Sequence, residues 1–172
     1  MQEGTAGAGA GGAAGQAAAE GVAATPGVPA GEPPLLPGSS VTMPGTAAHE
    51  LRQIFERAAE LDSRHLPYLW GGGHDAGVHN VFTTGALDCS GSVSAVLGVD
   101  PRVSTAFESW GLAGPGQHVT VYANPEHVLM EINGHFFGTS AANPGGGAGW
   151  IPREHIPASY LAGFVARHPA GL

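Results

Sequence analysis

The sequence contains no lysine at all. Its six basic residues are all arginine, set against fourteen acidic ones, for a net charge of −8. Binding to a phosphate backbone needs clustered positive charge, and no such cluster exists here, so no nucleic-acid partner is expected. Attraction to an anionic membrane surface is disfavoured for the same reason. No apolar run approaches the roughly 18 residues that cross a bilayer, so membrane insertion is not expected. The opening Met1-Gln2-Glu3-Gly4 has neither a basic start nor an apolar stretch behind it, so no signal peptide is expected. A single cysteine, Cys89, rules out an intrachain disulfide and leaves one thiol to be explained.

Aromatic residues are also missing from residues 1–46, which hold 17 of the glycines and prolines of the chain. An Ala/Gly/Pro sequence without large side chains cannot bury enough surface to offset the entropy of ordering it. Residues 1–46 are therefore expected to be a disordered tail or linker. Residues 47–172 carry every aromatic side chain. They are expected to form one globular domain of roughly 120 residues with a single core.

Within that domain, Leu51, Ile54, Phe55, Ala58 and Leu61 recur at helical spacing, with Thr46 a suitable N-cap. An aromatic and glycine-rich turn, Pro67 to His74, leads into a loop over 75–87. Asp88-Cys89-Ser90-Gly91 then opens a second helical run, Ser92 to Leu97, closed by Gly98. Residues 102–117 read as irregular. Strands are expected over 118–123 and 127–132, and over 135–140 after the two-residue turn Asn133-Gly134, with a short one at Trp150-Ile151. The apolar stretch 156–165 should pack back on the domain. Helices followed by an antiparallel meander make an α+β fold.

The chemistry centres on Cys89. A cysteine at a helix start meets the partial positive charge of that terminus, which favours the nucleophilic thiolate. The alternative is a small buried apolar residue, the commoner state of a free cysteine. A strand-borne imidazole such as His127 can activate a thiol held on a helix packed over the sheet. The nine histidines also raise a metal reading, with His74, Asp75 and His79 as ligands. Their spacing fits no zinc motif and no second cysteine exists, so no metal is expected. Asn143 to Gly147 is glycine-rich, but no lysine follows, which argues against a phosphate loop.

Three blocks carry a resemblance to a known family: Tyr68-Leu69-Trp70-Gly71-Gly72-Gly73-His74, Leu87-Asp88-Cys89-Ser90-Gly91-Ser92-Val93, and His127 through Gly134. In this order they resemble the NlpC-type cell-wall cysteine peptidases, and the likeness spans about 47–172. It implies a reduced papain-like fold, with a nucleophile-bearing helix packed on an antiparallel sheet. It implies hydrolysis of peptide bonds in peptidoglycan stems, often from γ-D-glutamyl to the diamino acid. It also implies Cys89 as nucleophile and His127 as general base. A third, orienting residue is implied on the next strand. Counting without gaps gives Thr139, whereas hairpin arithmetic pairs His127 with Ser140. Thr139 is placed narrowly ahead, and His135, beside the turn, is too far away.

By the same resemblance Tyr68 and Trp70 would wall the cleft, and Asp88 and Ser90 would line the acyl-side subsite. Core packing remains open for Trp70 and Tyr68, and helix capping for Asp88. No cofactor is implied. A monomer acting on a peptidoglycan peptide, outside the cell or in its wall, is expected. The rival functions are an amidase or acyltransferase using the same pair, and a non-catalytic wall-binding module.

Overall fold

The computed structural model describes residues 45–75 and 85–172. The expected tail, apart from Gly45 and Thr46, lies outside these residues, as does His79. Helix α1 spans Gly45–Arg64 and buries Leu51, Ile54, Phe55, Ala58 and Leu61, the face its 3.6-residue period marks out. It begins at Gly45, so Thr46 lies inside the first turn and is not the N-cap. Helix α2 spans Cys89–Leu97, starts from the N-cap Asp88 and ends on Gly98 in the left-handed conformation. All nine of its residues are buried, so it runs through the core with no solvent face. Arg57 of α1 donates from Nε to the Val96 carbonyl at 2.7 Å and ties the end of α2 to α1.

Strands β2 (Val119–Ala123), β3 (Val128–Ile132), β4 (His135–Thr139) and β5 (Ala148–Ile151) form the expected meander. Asn133 and Gly134 both adopt positive φ, +48° and +83°, as a two-residue hairpin turn requires. The sheet is larger than a meander. The short β1 (Leu112–Ala113) and the C-terminal β6 (Val165–His168) complete six antiparallel strands in the order β1-β6-β2-β3-β4-β5. The apolar tail of the domain thus crosses the sheet to pair with β2. The stretch read as irregular also holds a short helix, α3 (Ser104–Phe107), anchored by the fully buried Phe107. A last short helix, α4 (Ala158–Leu161), precedes β6.

The sheet separates two apolar layers. Val121, Val128, Met130 and Phe137 face the main core with α1 and α2. Leu129, Phe136 and Ile151 face the other way, covered by Tyr122, Ile156, Leu161 and Phe164. This α+β arrangement, with the Cys89 helix against the sheet, is the architecture expected from the sequence.

Candidate active site

Cys89 is the first residue of α2, and the residue before it builds the helix start. Asp88 Oδ1 accepts the Gly91 N–H at 2.6 Å, and Asp88 Oδ2 accepts the Gly71 N–H at 3.1 Å. One carboxylate therefore caps the helix and fixes the glycine turn beside it. The turn can approach this closely because Gly91 has no side chain. A Cβ there would collide with the Gly72 carbonyl oxygen, which accepts the Asp88 N–H at 3.1 Å. The N–H groups at the helix start make Cys89 a position suited to a thiolate and to an oxyanion.

His74 joins this cluster. Its Nε2 lies 3.0 Å from Asp88 Oδ2 and 3.1 Å from Ser90 Oγ, while Ser90 Oγ donates to Asp88 Oδ1 at 3.1 Å. The imidazole raised as a metal ligand is instead engaged by the capping carboxylate and the serine after the nucleophile. Among the described residues, no three His, Cys, Asp or Glu side chains converge to hold a metal ion.

The thiol itself is buried, and its hydrogen-bond partner is Ser104 Oγ at 3.6 Å. Helix α3 brings this serine in, and nothing in the sequence singled it out. Two tyrosines lie within electrostatic reach of the thiol. Burial, then the negative charge of Cys89, then that of Asp88 push the Tyr68 phenol above its ordinary value. Burial and then the Cys89 charge do the same at Tyr160. Both rings are partly exposed, at 39% and 43%. Tyr160 is a second residue the sequence did not single out.

Trp70 does not pack in the core: it is 83% exposed. With Leu69, Gly71 and Gly85 it lines an open groove of about 650 Å³ whose lining includes neither Cys89 nor His127.

His127 sits in the turn just before β3. Its N–H donates to Asn124 Oδ1 at 2.7 Å, and its carbonyl accepts the Asn124 N–H at 2.9 Å. Its imidazole meets the Phe164 ring edge to face, with centroids 6.3 Å apart and planes at 81°. Phe164 in turn stacks on Tyr160 at 5.2 Å. Burial lowers the His127 imidazole below its ordinary value, so it is neutral at pH 7. Among the described residues no hydrogen bond joins the imidazole to Cys89, Thr139 or Ser140. Tyr160, whose phenol is raised by burial and then by the Cys89 charge, stacks on the same Phe164 ring that meets the imidazole.

The hairpin register runs Ile132 opposite His135, Glu131 opposite Phe136 and Met130 opposite Phe137. The ladder between these strands ends at that last pair, and His127 and Ser140 lie outside both strands. Thr139 shares the helix-facing side with Val128 and Phe137. Ser140 Oγ accepts the Ala142 N–H at 3.2 Å. Gapless counting and hairpin arithmetic thus diverge by one residue, between Thr139 and Ser140.

No protein-family model matches the sequence, and no curated protein matches it. Among solved structures, the P60 domain of an antigen from M. avium subspecies paratuberculosis is similar at 20% identity and a TM-score of 0.50, over 71% of this chain and 96% of that one. The peptidoglycan hydrolase RipB from Mycobacterium tuberculosis is 25% identical with a TM-score of 0.51, over 73% of this chain and 68% of that one. A mutated form of the Resuscitation Promoting Factor Interacting protein RipA is 22% identical with a TM-score of 0.51, over 77% of this chain and 70% of that one. The fold is that of the NlpC-type peptidases. The sequence blocks and the structural likeness point to the same NlpC-type architecture, with Cys89 at the head of the central helix and His127 at the head of a sheet strand.

Proposed function

We propose that residues 47–172 form a cysteine endopeptidase that hydrolyses peptidoglycan stem peptides, with the bond from γ-D-glutamyl to the diamino acid as the leading candidate. The observation that carries this reading is the position of the lone cysteine. It heads a helix capped by Asp88, with Tyr68 and Tyr160 within reach, on a fold shared with the hydrolase RipB.

In this mechanism neutral His127 accepts the Cys89 thiol proton and the thiolate attacks the scissile carbonyl carbon. The Cys89 N–H stabilises the oxyanion. The imidazolium protonates the departing amine, leaving a thioester on Cys89. Water, losing its proton to His127, then releases the acid and restores the thiol. Asp88, Ser90 and Tyr68 line the acyl side, and no cofactor takes part. On this reading the protein acts as a monomer outside the cell or in its wall, where a peptidoglycan substrate lies.

One observation favours a second reading. The thiol bonds Ser104 and not His127, as befits a wall-binding module that has lost catalysis. A thiol-reactive probe separates the two, since a catalytic Cys89 is labelled rapidly at neutral pH and a structural one is inert.

The deciding experiment is digestion of purified peptidoglycan with mass analysis of the fragments. Cys89→Ala and His127→Ala should each lower the rate by at least about 1,000-fold with the fold intact, because nucleophile and base act as a unit. Wild-type cleavage by Cys89→Ala overturns the proposal.

A further inference from the structure

We propose that Phe164, with Tyr160 behind it, is the positioning residue of His127: an aromatic clamp holds the imidazole in the role a polar third residue would otherwise fill. This rests on His127 being the base in the reading above.

Three independent observations converge on it. First, the His127 ring has no hydrogen-bonded orienting partner among the described residues, and the Ser140 hydroxyl accepts from the backbone of Ala142. Second, the Phe164 ring stands nearly perpendicular to the imidazole, at 81° and 6.3 Å. Edge-to-face packing fixes both the plane and the position of a ring, and such pairs are worth about 0.5–1.5 kcal/mol beyond their buried area. Third, Phe164 is itself held. It packs on the apolar layer of Leu129, Phe136 and Ile151 and stacks on Tyr160 at 5.2 Å and 37°. The clamp is thus part of the second core and does not depend on a mobile side chain.

The clamp also sets the protonation of the base. Burial is the cause that lowers the His127 imidazole below 6.5. Its charged neighbour in the turn is the exposed Glu126, and Tyr160 on α4 stacks on the far side of Phe164. Asn124, whose Oδ1 accepts the His127 N–H, is neutral. A carboxylate in the third position would hold the imidazole charged, whereas an aromatic wall keeps it neutral and able to accept a proton.

The sign of the pH effect follows. The folded protein keeps His127 neutral where the unfolded chain takes up a proton. This contribution to stability is complete above pH 6.5 and is lost as pH falls from 6.5 through the lowered value. Removing the clamp lets the folded-state value rise back towards 6.5 and shrinks that loss.

The test is an NMR titration of the His127 imidazole, assigned by its disappearance in His127→Gln, run on the full chain. Phe164→Ala should move the midpoint up towards 6.5 and carry the acid limb of the rate profile with it. It should lower kcat on peptidoglycan peptides by about 10- to 100-fold, the cost of a misplaced catalytic group, with KM within about twofold. Phe164→Leu serves as the second variant if alanine fails to fold. It keeps the apolar wall, so the midpoint stays low, but it lacks the ring and still loses turnover. Phe164→Tyr should restore both. A folded Phe164→Ala with an unmoved midpoint, or a folded Phe164→Leu with wild-type kcat, overturns the clamp. If the wild type cleaves no peptidoglycan, the peptidase reading falls while the Phe164→Ala midpoint still decides whether Phe164 controls the imidazole.

Discussion

Cys89 Sγ lies 3.6 Å from Ser104 Oγ, and both residues are buried. A hydroxyl at this distance can donate to a thiolate, which is otherwise held by the backbone N–H groups of the first turn of α2. The contact exists because Phe107 anchors α3 in the core, with its ring edge-on to Trp110 at 5.8 Å.

Ser104→Ala should therefore slow alkylation of Cys89 by iodoacetamide at neutral pH by roughly fivefold, the equivalent of about 1 kcal/mol for one hydrogen bond. Ser104→Thr, which keeps a hydroxyl, should retain most of the wild-type rate. Unchanged alkylation in a folded Ser104→Ala would show that the serine packs against the sulfur without acting on its charge.

A second prediction concerns the joint between the glycine turn and the nucleophile helix. A methyl group at Gly91 would strike the Gly72 carbonyl, which is backbone and cannot swing away. Gly91→Ala should cost about 1–3 kcal/mol, in the range of other overpacked sites. It should also lower activity, because the shift moves the first turn that carries Cys89. The control is Gly163→Ala, where nothing lies within 4 Å of the added carbon. Its stability should stay within about 0.5 kcal/mol of wild type. Denaturant melts of both variants check the pair. Equal stability in the two would mean that the turn has slack to move.

What the sequence made legible follows the range of the interactions involved. Helix α1 shows its buried face because Leu51, Ile54, Phe55, Ala58 and Leu61 repeat at the helical period over about three turns. The β3–β4 hairpin is legible because Asn133-Gly134 is a local code for one turn geometry. Asp88 was readable as a cap for the same reason. Helix α3 was not, since four residues give no period, and its place depends on Phe107 filling a distant part of the core. The crossing of β6 to β2 was hidden because pairing between Val165 and Ala123 spans more than forty residues with no short-range signal. Ser104, Tyr160 and Phe164 were missed on the same ground: each reaches the site through tertiary placement of a segment far from Cys89 in sequence. His74 was noticed for its metal-binding chemistry, but its bond to Asp88 needs the turn to fold back on α2.

The last prediction separates the two residues that counting and pairing put forward on β4. Opposed residues on neighbouring antiparallel strands point to the same side of the sheet. The observed pairs from Ile132–His135 to Met130–Phe137 therefore leave Thr139 facing the helix layer with Val128. Thr139 is 8% exposed there. Thr139→Val, which keeps shape and loses the hydroxyl, should leave kcat within about threefold, because no hydrogen bond joins Thr139 to the His127 imidazole among the described residues. Ser140 Oγ accepts the Ala142 N–H in the loop that follows β4 and makes no hydrogen bond to the His127 imidazole. Ser140→Ala should lower kcat by less than about tenfold, the loss expected from a loosened loop and not from a missing orienting bond, which in a catalytic triad costs about 10,000-fold. Steady-state kinetics on a stem-peptide substrate would rank the three variants, with Phe164→Leu the most impaired. A Thr139→Val enzyme slower than Phe164→Leu would mean that the β3–β4 register changes when substrate binds, and would return the orienting role to Thr139.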